Sequence, residues 1–351
     1  MHTIIGSAHG EQRYAHGHQG EASGRLYTVG LLLTLALGIL VAALTDDVQP
    51  AVNVRRLGVL TPNAAPSEAQ RRQSPFWQAM HELGWVEGQN ITVERRDAER
   101  RAERLPELAA DLVRLGVEVI IAHGTRATQA AMHATTTIPI VMSFSASPVE
   151  SGLVASLARP GGNVTGIALM SPELAGKQLE LFKEAVPGLT HLGVIHDAEN
   201  GPPPRGALQA RAQELGITIH RLDMLGSSST IEQLFAMITQ ERPDALWVTN
   251  TPFPSFHRQE IADFAAKRGL PTFGEKELVE QGGLMAYEEP ARDRWQRVAS
   301  YVDRILKGAK PAELPIERPM RFQLVLNLKT AKTLGLTIPP SILFQAEEVL
   351  Q

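Results

Sequence analysis

Short aliphatic runs alternate along most of this chain with longer stretches in which apolar positions recur every three or four residues. The runs at 56–61 (RLGVLT), 119–122 and 138–142 read as buried strands, 90–95 (NITVER) alternates and is β-branched, and 163–169 closes the series. Between them, Phe76, Met80 and Leu83 share one face of a helix predicted over 67–83 and stopped by Gly84. Leu105, Leu108, Leu112 and Leu115 define a second helix over 102–115, with Gly116 as its stop. A short helix is expected at 151–158, before Arg159-Pro160-Gly161-Gly162. Strand–helix alternation of this kind predicts a parallel sheet with helices on both faces.

The pattern then restarts. Leu57-Gly58-Val59-Leu60 is echoed by Leu192-Gly193-Val194-Ile195, and strands are predicted at 191–196, 218–222, 245–249, 271–273 and 283–287, with helices at 206–215, 230–240 and 255–268. The expected fold class is therefore α/β, with two doubly wound parallel-sheet lobes joined by a hinge. Two segments are expected to cross between the lobes. One lies between 169 and 187; the other is the amphipathic stretch 291–307, where Val298, Tyr301, Val302, Ile305 and Leu306 form one buried face. A strand at 321–328, a short helix at 330–334 and an extended tail follow a Pro-rich connection. The expected division is 55–169 with 308–351 as the first lobe and 170–307, crossing segments included, as the second.

The N-terminal part breaks the pattern. Residues 1–24 are polar and rich in Gly and His and are expected to be disordered. Residues 25–45 hold the apolar run GLLLTLALGILVAAL, preceded by Arg13 and Arg25 and ending in the small-residue site Val41-Ala42-Ala43. That composition fits a cleaved secretory signal, and the run also approaches the ~20 residues that span a bilayer, so an uncleaved anchor stays open. Either reading places the remainder outside the cytoplasm, with 46–54 as a linker.

Composition narrows the chemistry. The 351 residues suit two domains, and the net charge of -4 with dispersed Lys and Arg gives no nucleic-acid footprint. The absence of Cys removes disulfides, thiolate catalysis and Cys-based zinc sites. His9, His16 and His18 have no completing ligand nearby, so no metal and no cofactor is expected.

Catalytic motifs fail on inspection. His81-Glu82-Leu83-Gly84-Trp85 lacks the second His of a zinc protease, and Gly176-Lys177-Gln178 lacks the Ser/Thr and the leading Gly of a phosphate loop. Gly161-Gly162-Asn163-Val164-Thr165-Gly166 precedes a strand, where a dinucleotide fingerprint would follow one. What remains is a set of polar turns after strands: Thr61, His123-Gly124-Thr125, Ser143 to Ser147, Asp197, Asn250-Thr251 and Tyr287-Glu288. Each also fits an ordinary cap or turn, but together they could line one cleft. His123 is expected to be a hydrogen-bonding turn residue. The candidate ligand-binding residues are Thr61, Thr125, Ser145, Ser147, Asn250, Tyr287 and Glu288.

These strings also carry a resemblance. LGWVEGQNITVE (83–94), ERLPELAADLVRL (103–115), IPIVMSFSASPVESGLVASLARPGGNVTG (138–166), KQLELFKEAVP (177–187) and YVDRILKGAKPAELPIERPMRFQLVLNLKTAKTLGLTIP (301–339) resemble the substrate-binding components of ABC transporters, in the branch related to tryptophan/tyrosine-type periplasmic binding proteins. The resemblance covers 55–351. It implies a type I periplasmic-binding-protein fold, two lobes closing on a small solute such as an amino acid or related carboxylate, and delivery to a membrane permease by a non-enzymatic monomer. In that family an Asp stands before Pro148-Val149 where this chain has Ser147, and a Tyr-Gly-Pro-Asp string stands where it has Tyr287-Glu288-Glu289-Pro290. An acidic contact is thus lost at one place and gained at another. If an amino acid is bound, the first-lobe hydroxyls and N–H groups are expected to take its carboxylate and Glu288 its ammonium. The alternatives are a membrane-tethered ligand-sensing module and, less favoured, an α/β hydrolase using Ser145 and His123.

Overall fold

The apolar runs build two separate sheets, as seen in a computed structural model that describes residues 54–145, 147–168, 172–198 and 207–351. The polar N-terminal segment, the hydrophobic run at 25–45 and the linker up to 53 lie outside the described residues.

The first sheet comprises β1 (Arg55–Thr61), β2 (Ile91–Asp97), β3 (Val119–His123), β4 (Ile140–Ser145) and β5 (Val164–Ala168), in the order β2-β1-β3-β4-β5 and parallel throughout. β3 and β4 are apolar without alternation because helices cover both faces. The helix Leu105–Arg114 buries Leu105, Leu108 and Leu112 on one side of the sheet. Phe76 and Met80 from the helix Pro75–Glu82 pack on the other.

The second sheet comprises β6 (His191–Asp197), β7 (Thr218–Met224), β8 (Ala245–Val248), β9 (Thr272–Gly274), β10 (Met285–Glu288), β11 (Gln323–Asn327) and β12 (Ala346–Leu350), in the order β12-β11-β10-β9-β8-β6-β7. Only the β10–β11 pair is antiparallel among the described strands. The reason is the path of the chain. β10 runs towards the first sheet, the chain leaves as the helix Ala291–Leu306, and it comes back from the same side as β11.

Three sequence expectations are corrected by this topology. The C-terminal strand expected in the first lobe pairs with β10, and the tail forms a further strand, β12, so 323–350 belong to the second sheet. The helix Ala291–Leu306 lies on the first sheet, where Val298, Tyr301, Val302, Ile305 and Leu306 join the core formed by Leu57, Phe76 and Val141. The described elements therefore require three passages between the sheets rather than two: after β5, after β10 and before β11. The last is tied down by the Ile167–Glu317 bridge and by the Ala168 amide donating to the Glu317 carbonyl at 2.9 Å.

Smaller differences have local causes. The helix expected at 67–83 is broken at Ser74-Pro75, because Pro75 lacks the N–H a continuing helix needs and starts a new one. The stretch expected as a helix at 151–158 is a series of turns and bends around Gly152, whose φ is +69°. Asn163 secures the connection to β4 by donating from its side-chain amide to the carbonyls of Thr135 and Ile138 at 3.0 and 2.9 Å.

Candidate functional site

The C-terminal ends of β1, β3, β8, β9 and β10 converge on a cavity of about 350 Å³. A volume near the lower end of the ~300–1,000 Å³ range of ligand pockets suits one small solute. Two larger and more open grooves, of about 920 and 770 Å³, lie along the helix Pro75–Glu82 and along the helix Ala291–Leu306. They are shallow surface features; the smaller cavity alone of the three takes lining residues from the ends of both sheets.

On the first-sheet side, β3 ends in His123, and Gly124 turns the chain into the helix Thr125–Ala134. Gly124 has φ +87°, a left-handed value at which a side chain would be strained, and no side chain caps this helix start. Its N-terminal amides therefore face the cavity end of the sheet beside Thr125. The His123 ring stacks on Trp295 (centroids 5.7 Å apart, planes at 10°) and meets Phe144 edge-on at 4.7 Å. Its Nδ1 shares a hydrogen bond with the Ser143 hydroxyl at 2.9 Å. Burial among these groups, reinforced by the charges of Arg294 and Arg95, lowers the pKa of His123 to about 3. The ring is neutral at physiological pH and serves as a wall.

The second-sheet side is more polar. Asn250 follows β8, and Trp247 and Phe273 close the floor. Glu275 pairs with Arg258 at 2.7 Å. Burial raises the pKa of Glu275, with the Glu277 charge adding to it. Glu288, at the end of β10, accepts from the Lys276 amide at 3.3 Å. Burial, then repulsion from Glu277 and Glu275, pushes its carboxyl up to about 8. Arg294, in the first turn of the helix Ala291–Leu306, lies among these carboxylates, and its Nε is buried with no hydrogen-bond partner. Among the described residues neither Arg294 nor Glu288 forms an ion pair.

Of the candidate ligand-binding residues named from sequence, Thr125, Asn250 and Glu288 line the cavity, as do His123, Gly124 and Thr251 of the same polar turns. Ser145 stands behind the wall, fully buried, with its hydroxyl 3.1 Å from that of Thr125. Thr61 is spent on its own turn, accepting from the Asn63 amide at 3.1 Å, and its neighbours Pro62 and Asn63 reach the cavity instead. Ser147 is outside the lining, its carbonyl accepting from the Ser151 amide. Tyr287 faces away: its ring stacks on Phe322 at 5.4 Å, and its carbonyl accepts from Gln178. Strand alternation explains this, since adjacent residues of β10 point to opposite sides. Sequence reasoning missed Trp295, Arg294 and Gln178. All three sit on helices whose apolar periodicity marks only the face that packs.

The arrangement is that of a clamp. A model of the family described as ABC transporter substrate binding protein matches residues 57–350. The chain belongs to the ABC transporter substrate-binding protein family. It is 25% identical over 265 residues to the tyrosine-binding protein of Clostridioides difficile (strain R20291), covering 74% of this chain and 75% of that one. Among solved structures it resembles an ABC domain from Streptococcus pneumonia in complex with L-Trp, at 25% identity and TM-score 0.77, covering 85% of this chain and all of that one. It also resembles a conserved domain protein from Vibrio cholerae, at 25% identity and TM-score 0.76, covering 84% and 99%. The two lobes are those of a type I periplasmic binding protein. As a substrate-binding protein the chain acts in solute capture for an ABC transporter; the family is of a solute-binding type, extracytoplasmic and in general not enzymatic. No described helix is long and apolar enough to cross a membrane.

Proposed function

We propose that this substrate-binding protein captures an α-amino acid between its two lobes and delivers it to its permease. The observation that carries the reading is two groups of opposite kind without an ion-pair partner in one aromatic-walled cavity: Arg294, which can take a carboxylate, and Glu288, neutral at pH 7 in the empty cavity, which can take an ammonium by giving up its proton. Thr125 and the open amides at the start of its helix add neutral donors for the carboxylate, and Trp295, His123 and Phe144 offer a flat wall to the rest of the solute. The names of the two relatives, one tyrosine-binding and one holding L-Trp, support the same head group. The sequence pointed to Thr125, Ser145, Ser147 and nearby N–H groups for the carboxylate; in this reading Arg294 is the main anchor and Thr125 a supporting donor, while Ser145 and Ser147 drop out.

Turnover is not part of this reading. The His123 imidazole is too weak a base at a pKa of about 3 to activate the Ser143 hydroxyl, and Ser143 is fully buried. We take the protein to be exported through its apolar N-terminal run and to act as a monomer without nucleic acid. Thermal-shift titration with a panel of amino acids tests the proposal. A genuine ligand stabilises the folded form by RT ln(1 + [L]/Kd), about 2.7 kcal/mol at one hundred times Kd. Arg294→Ala should abolish the shift. A panel that produces no concentration-dependent shift would remove the proposal.

A further inference from the structure

Acceptors without donors gather around the end of β10. Gln178, on the helix Pro172–Ala185, is 9% exposed and gives its Nε2 to the Tyr287 carbonyl at 2.7 Å, which assigns Oε1 as its free end; that oxygen is buried with no donor. Glu288 follows Tyr287 and lines the cavity. Glu289, 5% exposed, holds Arg297 through one oxygen, while its Oε2 is buried and equally without a donor. Gln178 and Glu289 line the same cavity as Glu288 and Arg294, and the Arg294 charge acts on both carboxyls. The carboxylate anchor and the three acceptors are therefore within reach of one head group. Buried acceptors are normally paired. Glu289 is already matched in charge by Arg297, and Gln178 is neutral, so one positive charge opposite Glu288 completes this end of the cavity.

Resting on the amino-acid reading above, we propose that Gln178 and Glu289 join Glu288 in a three-acceptor site for a primary α-ammonium, so that the protein takes unsubstituted α-amino acids and rejects their N-methyl and 2-hydroxy counterparts. A primary ammonium brings one charge and three N–H donors, one for each acceptor. A secondary ammonium has one donor fewer and sets a carbon against a buried oxygen. A hydroxyl has a single donor and no charge. The terminal torsions of Gln and Glu are broad, so a small rotation turns each free oxygen toward an entering nitrogen. Gln178 and Glu289 are thus specificity-determining residues, and the side chain of the solute is left to the aromatic wall.

Isothermal titration of the full chain with L-tryptophan, L-tyrosine and L-leucine, each beside its N-methyl and 2-hydroxy counterparts, tests this. The expected result is that an amino acid that binds loses roughly ten-fold or more in affinity on N-methylation and roughly one hundred-fold or more as the 2-hydroxy acid. Glu289→Gln leaves its amide oxygen to Arg297 and turns an NH2 donor toward the ammonium, so it should weaken the parent amino acid about ten-fold and the 2-hydroxy acid hardly at all. Gln178→Leu should act in the same sense, with melting curves of both variants as a check on folding. The comparison of analogues needs no variant and decides even where one fails to fold. If either counterpart binds as tightly as its parent, or if the variants weaken parent and counterparts alike, the three-acceptor site is refuted while solute capture stands. If none of the three amino acids binds, this inference is overturned, and the wider amino-acid panel decides the reading it rests on separately.

Discussion

Glu288 and His123 face the same cavity and are pushed in opposite directions. Glu288 is raised to about 8, so the folded protein favours its neutral form. Its contribution to stability is complete below the ordinary carboxylate value of 4.5 and is lost as pH rises through 8. His123 is depressed to about 3, so the fold favours the neutral ring; that contribution is complete above 6.5 and is lost as pH falls through 3. The melting temperature of the unliganded protein should therefore decline between pH 5 and pH 9, and Glu288→Gln should flatten that decline. Differential scanning calorimetry across the range reads it; an unchanged slope in the variant would assign the loss to other groups. A cationic ligand group would favour the ionised carboxylate, so binding at pH 7 should release a proton, visible as a dependence of the binding heat on the buffer. A second residue-scale effect is steric. Gly166, in β5, has φ +131°, and a Cβ there would stand 2.2 Å from the Met142 carbonyl oxygen of β4. Gly166→Ala should cost roughly 4 kcal/mol or more, beyond the usual range of point substitutions, measured by urea denaturation.

The helix Ala291–Leu306 joins core and site in one element. Its last three turns are amphipathic and bury Val298, Tyr301, Val302, Ile305 and Leu306 against the first sheet, while its first turn carries Arg294 and Trp295 into the cavity. The Tyr301 hydroxyl donates to the Pro315 carbonyl, fixing the connection towards β11. Tyr301→Phe leaves that carbonyl unpaired in a buried setting and should cost about 1–3 kcal/mol, read by chemical denaturation, with amino-acid affinity little changed. The packing half of this helix was legible in the sequence because burial writes a 3.6-residue period. The functional half was not, because Arg294 and Trp295 precede the periodic stripe and resemble any polar helix start. The same limit applied elsewhere. Aliphatic runs disclosed β1, β3, β4 and β8, yet nothing local in 346–350 (AEEVL) announces a strand, since β12 is an edge fixed by pairing with β11. Ser145 and Thr125 both looked like cleft hydroxyls. Which of them faces the solute depends on a register irregularity between Met142 and Ser145 that no short-range pattern encodes.

At the scale of the whole molecule, three passages connect the sheets, and one contact between the lobes is built on a turn beside the cavity. β2 is followed by Glu99 and Arg100, both left-handed at φ 52° and 68°, which is uncommon outside glycine. The turn is held by the Glu99 amide donating to the Asn63 carbonyl at 3.1 Å and the Arg100 amide donating to the Pro62 carbonyl at 2.8 Å. Pro62 and Asn63 line the cavity, so the turn is braced against the site itself. It carries the Arg100 guanidinium to 4.5 Å above the ring of Phe256, which ends the helix Pro252–Phe256 beside β6 of the second sheet. Because one partner belongs to each lobe, this cation–π contact exists only while the cleft is closed. An exposed contact of this type is worth roughly 0.5–1 kcal/mol, and losing it lowers the closed population without touching the ligand. Arg100→Ala should therefore weaken ligand binding about two- to five-fold, mainly through faster release. Stopped-flow dissociation should show the acceleration, and X-ray scattering of the unliganded variant should show a larger radius of gyration. Arg100→Lys, which keeps the cation, should recover part of the loss. An alanine variant with unchanged release and unchanged radius would show that closure is governed by the ligand and the hinge alone.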